Sequence, residues 1–211
     1  MKGYVPYIIL GSAGLLFLAV KAARAESGGS SEGNANAGNP GPANPGSSSA
    51  TTNEKIDAFI KKYGAYAYNL QQQTNFPGIL ALAQAALETG WGKKIPQNNM
   101  FGIKAGSSWT GPTVNAQTFE YTPAGVQYNT SSNFRAYPNV WESFKDYYRL
   151  MTTERYRNAL YHVNDPAKMI QMIVAAGYAT GPNYASLVIS IMRSLLRRLK
   201  ILYPDASWPT V

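Results

Sequence analysis

One carboxylate, Glu88, stands near the end of the run Ala81-Leu82-Ala83-Gln84-Ala85-Ala86-Leu87-Glu88-Thr89-Gly90-Trp91-Gly92. The run reads as an apolar, alanine-rich helix that stops at Gly-Trp-Gly and carries its acid on the last turn. Apolar surroundings withdraw solvation from the charged form, and the helix C-terminus adds partial negative charge nearby. Both effects favour the protonated carboxyl, the state a general acid must hold to protonate a leaving oxygen near neutral pH. A frayed helix end with a solvated glutamate fits the same window, so the rest of the chain has to decide between them.

Composition narrows the chemistry. The 211 residues include no cysteine and one histidine, His162. There is thus no thiol nucleophile and no Cys/His cluster for zinc. A Ser-His-Asp triad would need His162, and no G-x-S-x-G elbow accompanies it. His162 lies in a Tyr-His-Val run without partners and receives no role. Carboxylates are the expected catalysts, with neither metal nor cofactor. A formal charge of +8 suits a polyanionic partner or surface, and no finger, phosphate loop or ribonucleoprotein motif points to nucleic acid. The 15 tyrosines and 4 tryptophans supply faces that pack in a core and also stack on sugar rings.

Helical periodicity supplies the elements that must position Glu88. Asn53 is expected to cap a helix whose inner face carries Ile56, Phe59, Ile60, Tyr63, Ala67 and Leu70. Pro77 opens the helix of Glu88 and Gly90 ends it. Asn139 and Glu142 form a capping box before Trp141, Phe144, Tyr148 and Met151. Asp165-Pro166 begins a helix bearing Met169, Ile170 and Ile173, closed by Gly177. A last helix over residues 183–203 turns Leu187, Val188, Ile191, Leu195, Leu199 and Leu202 inward and leaves Arg193, Arg197, Arg198 and Lys200 on a solvated face. Between Trp109 and Tyr137 the helical period breaks. Alternating stretches on either side of Pro123-Ala124-Gly125 read as a β-hairpin with Glu120 in its first strand.

Upstream, residues 1–25 read as a membrane-directed segment. Residues 4–20 carry no charge, Lys2 precedes them, and Lys21 and Arg24 follow. Ala23-Arg24-Ala25 has the form of a signal-peptidase site, while the length of the apolar stretch leans toward a retained anchor. Residues 26–53 are almost wholly Gly, Ser, Asn, Ala, Pro and Thr and read as a disordered tether. As a flexible coil it would span roughly 30 Å. Residues 54–211 are the expected folded domain.

Five stretches of that domain occur in an ordered set: Ala83-Gln84-Ala85-Ala86-Leu87-Glu88-Thr89-Gly90-Trp91-Gly92, Asn98-Asn99-Met100-Phe101-Gly102-Ile103-Lys104, Phe134-Arg135-Ala136-Tyr137, Ser143-Phe144-Lys145-Asp146-Tyr147 and Gly177-Tyr178-Ala179-Thr180. In this order they resemble the family-73 glycoside hydrolases, bacterial endo-β-N-acetylglucosaminidases that include autolysins and the flagellar peptidoglycan hydrolase. The resemblance spans nearly all of residues 54–211 and none of residues 1–53. It implies a mainly helical, lysozyme-like α+β fold with a small β-hairpin lobe. It also implies cleavage of the β-1,4 bond between N-acetylglucosamine and N-acetylmuramic acid in peptidoglycan, outside the cytoplasm, in the periplasm or cell wall or from a virion.

On the same resemblance Glu88 is the general acid. Glu120 is the second carboxylate, which activates water on the opposite face or stabilises positive charge. Tyr178 matches a cleft tyrosine that would orient the substrate's N-acetyl group. Trp91, Asn99, Phe101, Trp109, Tyr137 and Tyr156 are the candidate substrate-binding residues, with Asn99 and Phe101 expected to act by shaping the loop after Glu88. Two alternatives stay open. A muramidase or lytic transglycosylase also centres on one glutamate after an alanine-rich helix, and a wall-binding module would keep the fold without the reaction.

Overall fold

A computed structural model describes residues 51–121 and 126–211. The expected membrane-directed segment, all but the end of the tether, and the Pro123-Ala124-Gly125 turn lie outside the described residues. Among the described residues no helix is long and apolar enough to cross a membrane. The elements run α1 (Thr52–Thr74), α2 (Gly78–Glu88), β1 (Thr113–Tyr121), β2 (Gln127–Arg135), α3 (Val140–Met151), α4 (Pro166–Ala175) and α5 (Tyr184–Leu202), with short 3-10 turns at Pro96–Asn98 and Arg157–His162.

Helix α2 is the axis of the fold. All eleven of its residues are buried, and α1, α4 and α5 pack around it. A helix enclosed on every side must be apolar on every side; Gln84 and Glu88 are the polar side chains of α2. Close approach to α1 depends on Gly78. A Cβ there would lie 2.9 Å from the Ala67 carbonyl carbon and closer still to its oxygen. Gly78→Ala is therefore expected to destabilise the domain by about 1–3 kcal/mol despite alanine's better helix propensity. A denaturant titration showing equal or higher stability would contradict this close packing.

Helix α1 begins earlier than its sequence indicates. Its cap is Thr51, not Asn53: the Thr51 hydroxyl accepts from the Glu54 N–H at 3.3 Å, and the Glu54 carboxylate accepts from the Thr51 N–H at 2.6 Å. This reciprocal pair satisfies two orphan donors, whereas Asn53 lies inside the first turn. The expected inner face of α1, from Ile56 to Leu70, is buried throughout. For α3, Asn139 accepts from the Glu142 N–H at 3.1 Å. The other half of the expected box is absent, because the Glu142 carboxylate pairs with Lys145 at 2.7 Å. Asp165 caps α4 through the Lys168 N–H at 2.9 Å.

Helix α5 buries Tyr184, Val188, Met192, Leu195 and Leu199, while Leu187, Ile191 and Leu202 are only half-buried. Arg193, Arg197 and Lys200 are exposed as expected. Arg198 is not part of that solvated face. Its Nε and Nη2 donate to Asp57 at 2.7 and 2.5 Å, tying the end of α5 to the start of α1. This pairing holds the Asp57 carboxyl below its ordinary 3.8.

The hairpin is antiparallel, in register from Thr113 opposite Arg135 to Tyr121 opposite Gln127. Its base is tied to the segment after α2. The Arg135 N–H donates to the Ile103 carbonyl at 2.9 Å and the Ala105 N–H to the Asn133 carbonyl at 2.8 Å. Glu120 stands opposite Tyr128, at the end of the ladder remote from this base.

Candidate active site

The chain reverses immediately after Glu88. Gly90, Trp91 and Gly92 take φ of 58, 62 and 78°, three successive left-handed residues. The turn is closed by the Trp91 N–H on the Ala86 carbonyl at 2.7 Å and by the Gly92 N–H on the Thr89 hydroxyl at 2.8 Å. Glycine suits the third position twice over, since a Cβ at Gly92 would lie 3.0 Å from the Tyr63 ring. Beside this reversal Glu88 stays in the fold at 2% exposure.

A buried polar layer receives that carboxyl. The Tyr184 hydroxyl, at the start of α5, donates to Glu88 Oε1 at 2.7 Å. The Gln84 side-chain amide donates to the Tyr184 oxygen at 3.1 Å, and the Tyr147 hydroxyl donates to Gln84 Oε1. Burial first, and then the charge of Glu88, push the Tyr184 and Tyr178 phenols well above 10. Tyr147 is raised in the same way, with Tyr156 acting on it ahead of Glu88. All three therefore keep their protons across the neutral range and remain donors.

Tyr178 lies within this layer. It is buried, it meets Tyr184 at a ring separation of 6.0 Å, and its hydroxyl donates to the Phe101 carbonyl at 3.1 Å. Phe101 and Tyr156 are each 1% exposed and present no surface on which a sugar could stack. Phe101 lies flat on Tyr147, with centroids 4.1 Å apart and planes 12° apart. Asn99, also buried, is a structural hub: its amide donates to the Ile103 and Arg135 carbonyls at 3.0 and 2.9 Å. Its oxygen accepts from the Ile103 N–H at 3.1 Å. Asn99 and the Phe101 carbonyl are thus engaged in bonds around the loop after Glu88, and direct stacking on substrate is not open to Phe101 or Tyr156.

Of the candidate substrate-binding aromatics, Trp91 and Trp109 are partly accessible. Trp91 sits edge-on to Phe59 at 5.7 Å. Trp109 meets Tyr137 at 5.9 Å and lies under the Arg135 guanidinium at 4.6 Å. Tyr137 is itself buried, and its hydroxyl donates to Asp146 at 2.7 Å. Burial, followed by the Asp146 charge, raises the Tyr137 phenol far above its usual 10. Glu88 and Glu120 thus come from different bodies of the fold, one fixed in α2 and the other on the hairpin.

Sequence reasoning missed Tyr184, Gln84 and Tyr147 as functional candidates. Gln84 carried a usable signal: it lies four residues before Glu88, on the same helix face, in an otherwise apolar helix. Tyr184 carried none and Tyr147 only its place in the Ser143-Phe144-Lys145-Asp146-Tyr147 stretch, because they reach the site through tertiary packing from 96 and 59 residues away along the chain.

Residues 64–197 match the glucosaminidase family, described as mannosyl-glycoprotein endo-beta-N-acetylglucosaminidase. The chain belongs to the glucosaminidase family. The glycoside hydrolase domain of Salmonella typhimurium FlgJ, in a C-terminally truncated form, is 34% identical with a TM-score of 0.54, the match covering 67% of this chain and 98% of that one. A peptidoglycan hydrolase from Sphingomonas sp. A1 is 32% identical with a TM-score of 0.59, over 71% of this chain and 97% of that one. The peptidoglycan hydrolase FlgJ of Vibrio parahaemolyticus is 38% identical over 146 residues, 66% of this chain. The glucosaminidase chain spans less than half the length of the FlgJ relatives from Vibrio parahaemolyticus and Vibrio cholerae, 47% and 42% respectively. The described residues form a glycoside hydrolase domain of the lysozyme-like, FlgJ and autolysin type, mainly helical with one hairpin, as the ordered stretches imply.

Proposed function

We propose that this protein hydrolyses peptidoglycan, cleaving the β-1,4 bond between N-acetylglucosamine and N-acetylmuramic acid with Glu88 as general acid. The observation that carries this reading is the placement of Glu88. It is a nearly enclosed carboxyl at the end of an apolar helix, oriented by the Tyr184 hydroxyl. Its domain matches glycoside hydrolase domains over almost their whole length.

In the reaction, Glu88 passes its proton to the glycosidic oxygen as the bond from that oxygen to the anomeric carbon breaks, and positive charge develops on the sugar. The Tyr184 O–H then stabilises the carboxylate that remains. Glu120, carried on the hairpin, serves as the second carboxylate, taking a proton from water or countering the positive charge. Tyr178 supports the site from within, beside Tyr184. Trp91 and Trp109 are the partly exposed aromatics offered to sugar rings, and Tyr137 braces Trp109. The substrate places the domain outside the cytoplasm, in the periplasm or cell wall. There residues 1–25 serve as signal or anchor and residues 26–53 as a tether.

The bond cleaved is read from the new reducing ends. Peptidoglycan digested by the protein, reduced with borohydride and hydrolysed should yield glucosaminitol. Muramitol would instead make it a muramidase, anhydromuramic ends a transglycosylase, and no new ends a binding module.

A further inference from the structure

Three buried side chains stand in a line behind the catalytic carboxyl, and their hydrogen bonds all run in one direction. The Tyr147 O–H donates to Gln84 Oε1, the Gln84 N–H to the Tyr184 oxygen, and the Tyr184 O–H to Glu88 Oε1. We propose that Tyr147 and Gln84 are positioning residues for Glu88, forming a one-way relay that dictates where the Tyr184 hydroxyl points. This rests on the reading of Glu88 as general acid.

A phenol has one proton and can accept as well as donate, so a tyrosine beside a carboxyl is not by itself committed to donating. Gln84 supplies the commitment. Its N–H occupies the Tyr184 oxygen, which turns the Tyr184 proton toward Glu88. The amide could equally present its oxygen to Tyr184, and the proton would then point away from the carboxyl. Tyr147 blocks that arrangement, because its own buried O–H needs the Gln84 oxygen as acceptor. The Tyr147 ring cannot swing to find another partner. It is stacked on Phe101 at 4.1 Å and held edge-on by Phe76 at 5.5 Å. Gln84 and Tyr147 are each 0% exposed and Tyr184 is 2% exposed, so bulk solvent does not reach any member.

The consequence is a fixed upper pH for the acid. A donor aimed at Glu88 favours its charged form, so losing that donor lets the carboxyl hold its proton to higher pH. Glu88 faces the phenols of Tyr147 on α3, Tyr178 after α4 and Tyr184 on α5. Tyr156 and Arg155 stand one layer out, beside Tyr178, and Tyr63 of α1 lies under the turn at Gly92. Burial keeps the phenols of Tyr147, Tyr178 and Tyr184 protonated well above the neutral range.

The test is the pH profile of kcat/KM on peptidoglycan for the full chain. Tyr147→Phe frees Gln84 to turn, and Tyr184→Phe removes the last donor. Each should move the alkaline limb upward by roughly one pH unit. The double variant should move it no further than Tyr184→Phe alone. An unmoved limb in Tyr147→Phe, or additive shifts, would overturn the relay even if kcat or thermal stability fell. If Tyr147→Phe does not fold, Gln84→Met removes the N–H that polarises the Tyr184 oxygen and should shift the limb upward by less than Tyr184→Phe does, and an unmoved limb there would overturn the relay. Glu88→Gln runs alongside: if it retains activity, the general-acid reading itself fails, whereas an inactive Glu88→Gln with unmoved limbs rejects only the relay.

Discussion

Replacing Glu88 by glutamine is expected to lower the rate of peptidoglycan cleavage by about 10³-fold or more while leaving the fold intact. Glutamine has the same shape, and its amide oxygen can take the place of Oε1 as acceptor for the Tyr184 hydroxyl, which donates there at 2.7 Å. What it cannot do is release a proton to the leaving oxygen. Burial makes the contrast sharper: at 2% exposure, Glu88 is carried at some cost to the core. The melting temperature of Glu88→Gln should therefore equal or exceed that of the wild type. Glu120→Gln is expected to lose about 10²-fold, with the milder loss reflecting a partner that acts on water or charge and not on the broken bond. Rates should come from dye-release or turbidity assays at equal protein, with circular dichroism to confirm folding. Activity within tenfold of wild type for Glu88→Gln would remove it from the mechanism.

The parts legible in the sequence were those in which one local rule decides the outcome. The periodicity from Ile56 to Leu70 is the inner face of α1 because neighbours at helical spacing share one burial environment. Asp165-Pro166 starts α4 because a cap oxygen and a fixed φ act within one turn. Where two local rules competed, the sequence misled. Thr51 and Asn53 could each cap α1, and the reciprocal bond to Glu54 decided for Thr51. Where the outcome depended on packing, the sequence was silent. Arg198 looks like its exposed neighbours Arg193 and Arg197 until α1 brings Asp57 beneath it. Tyr147, Tyr156 and Tyr178 are chemically alike, yet their roles separate only once burial and partners are known. Glu88 stood out because a carboxyl inside an alanine-rich run conflicts with its surroundings, and such conflicts mark sites where stability is given up for function.

The largest expected effect on the fold itself comes from Asp146. This carboxylate on α3 has 7% side-chain exposure and gathers the base of the hairpin. It accepts from Arg135 Nη1 at 2.7 Å and from the Tyr137 hydroxyl at 2.7 Å, with Arg149 Nε at 3.6 Å. Arg135 is the last residue of β2, and it also donates to the Lys104 carbonyl at 3.3 Å and covers Trp109. Asp146→Ala would leave a guanidinium with 16% exposure and a buried phenol without their acceptor. Breaking such a buried, hydrogen-bonded pair typically costs about 3–5 kcal/mol, and for a domain of this size that corresponds to a fall in Tm of roughly 10 °C. Asp146→Asn keeps an acceptor for Tyr137 and loses the charge, so it should fall between Asp146→Ala and wild type. The damage should also reach catalysis by a separate route. Arg135 anchors the strand paired with β1, and β1 carries Glu120. A loosened hairpin lowers kcat on peptidoglycan even at temperatures where the helical body stays folded, while the buried layer from Tyr147 to Glu88 keeps the alkaline limb of the pH profile in place. An unchanged melting temperature in Asp146→Ala would show that the hairpin is held by its remaining bonds to residues 99–105, and that the Asp146 contacts are dispensable.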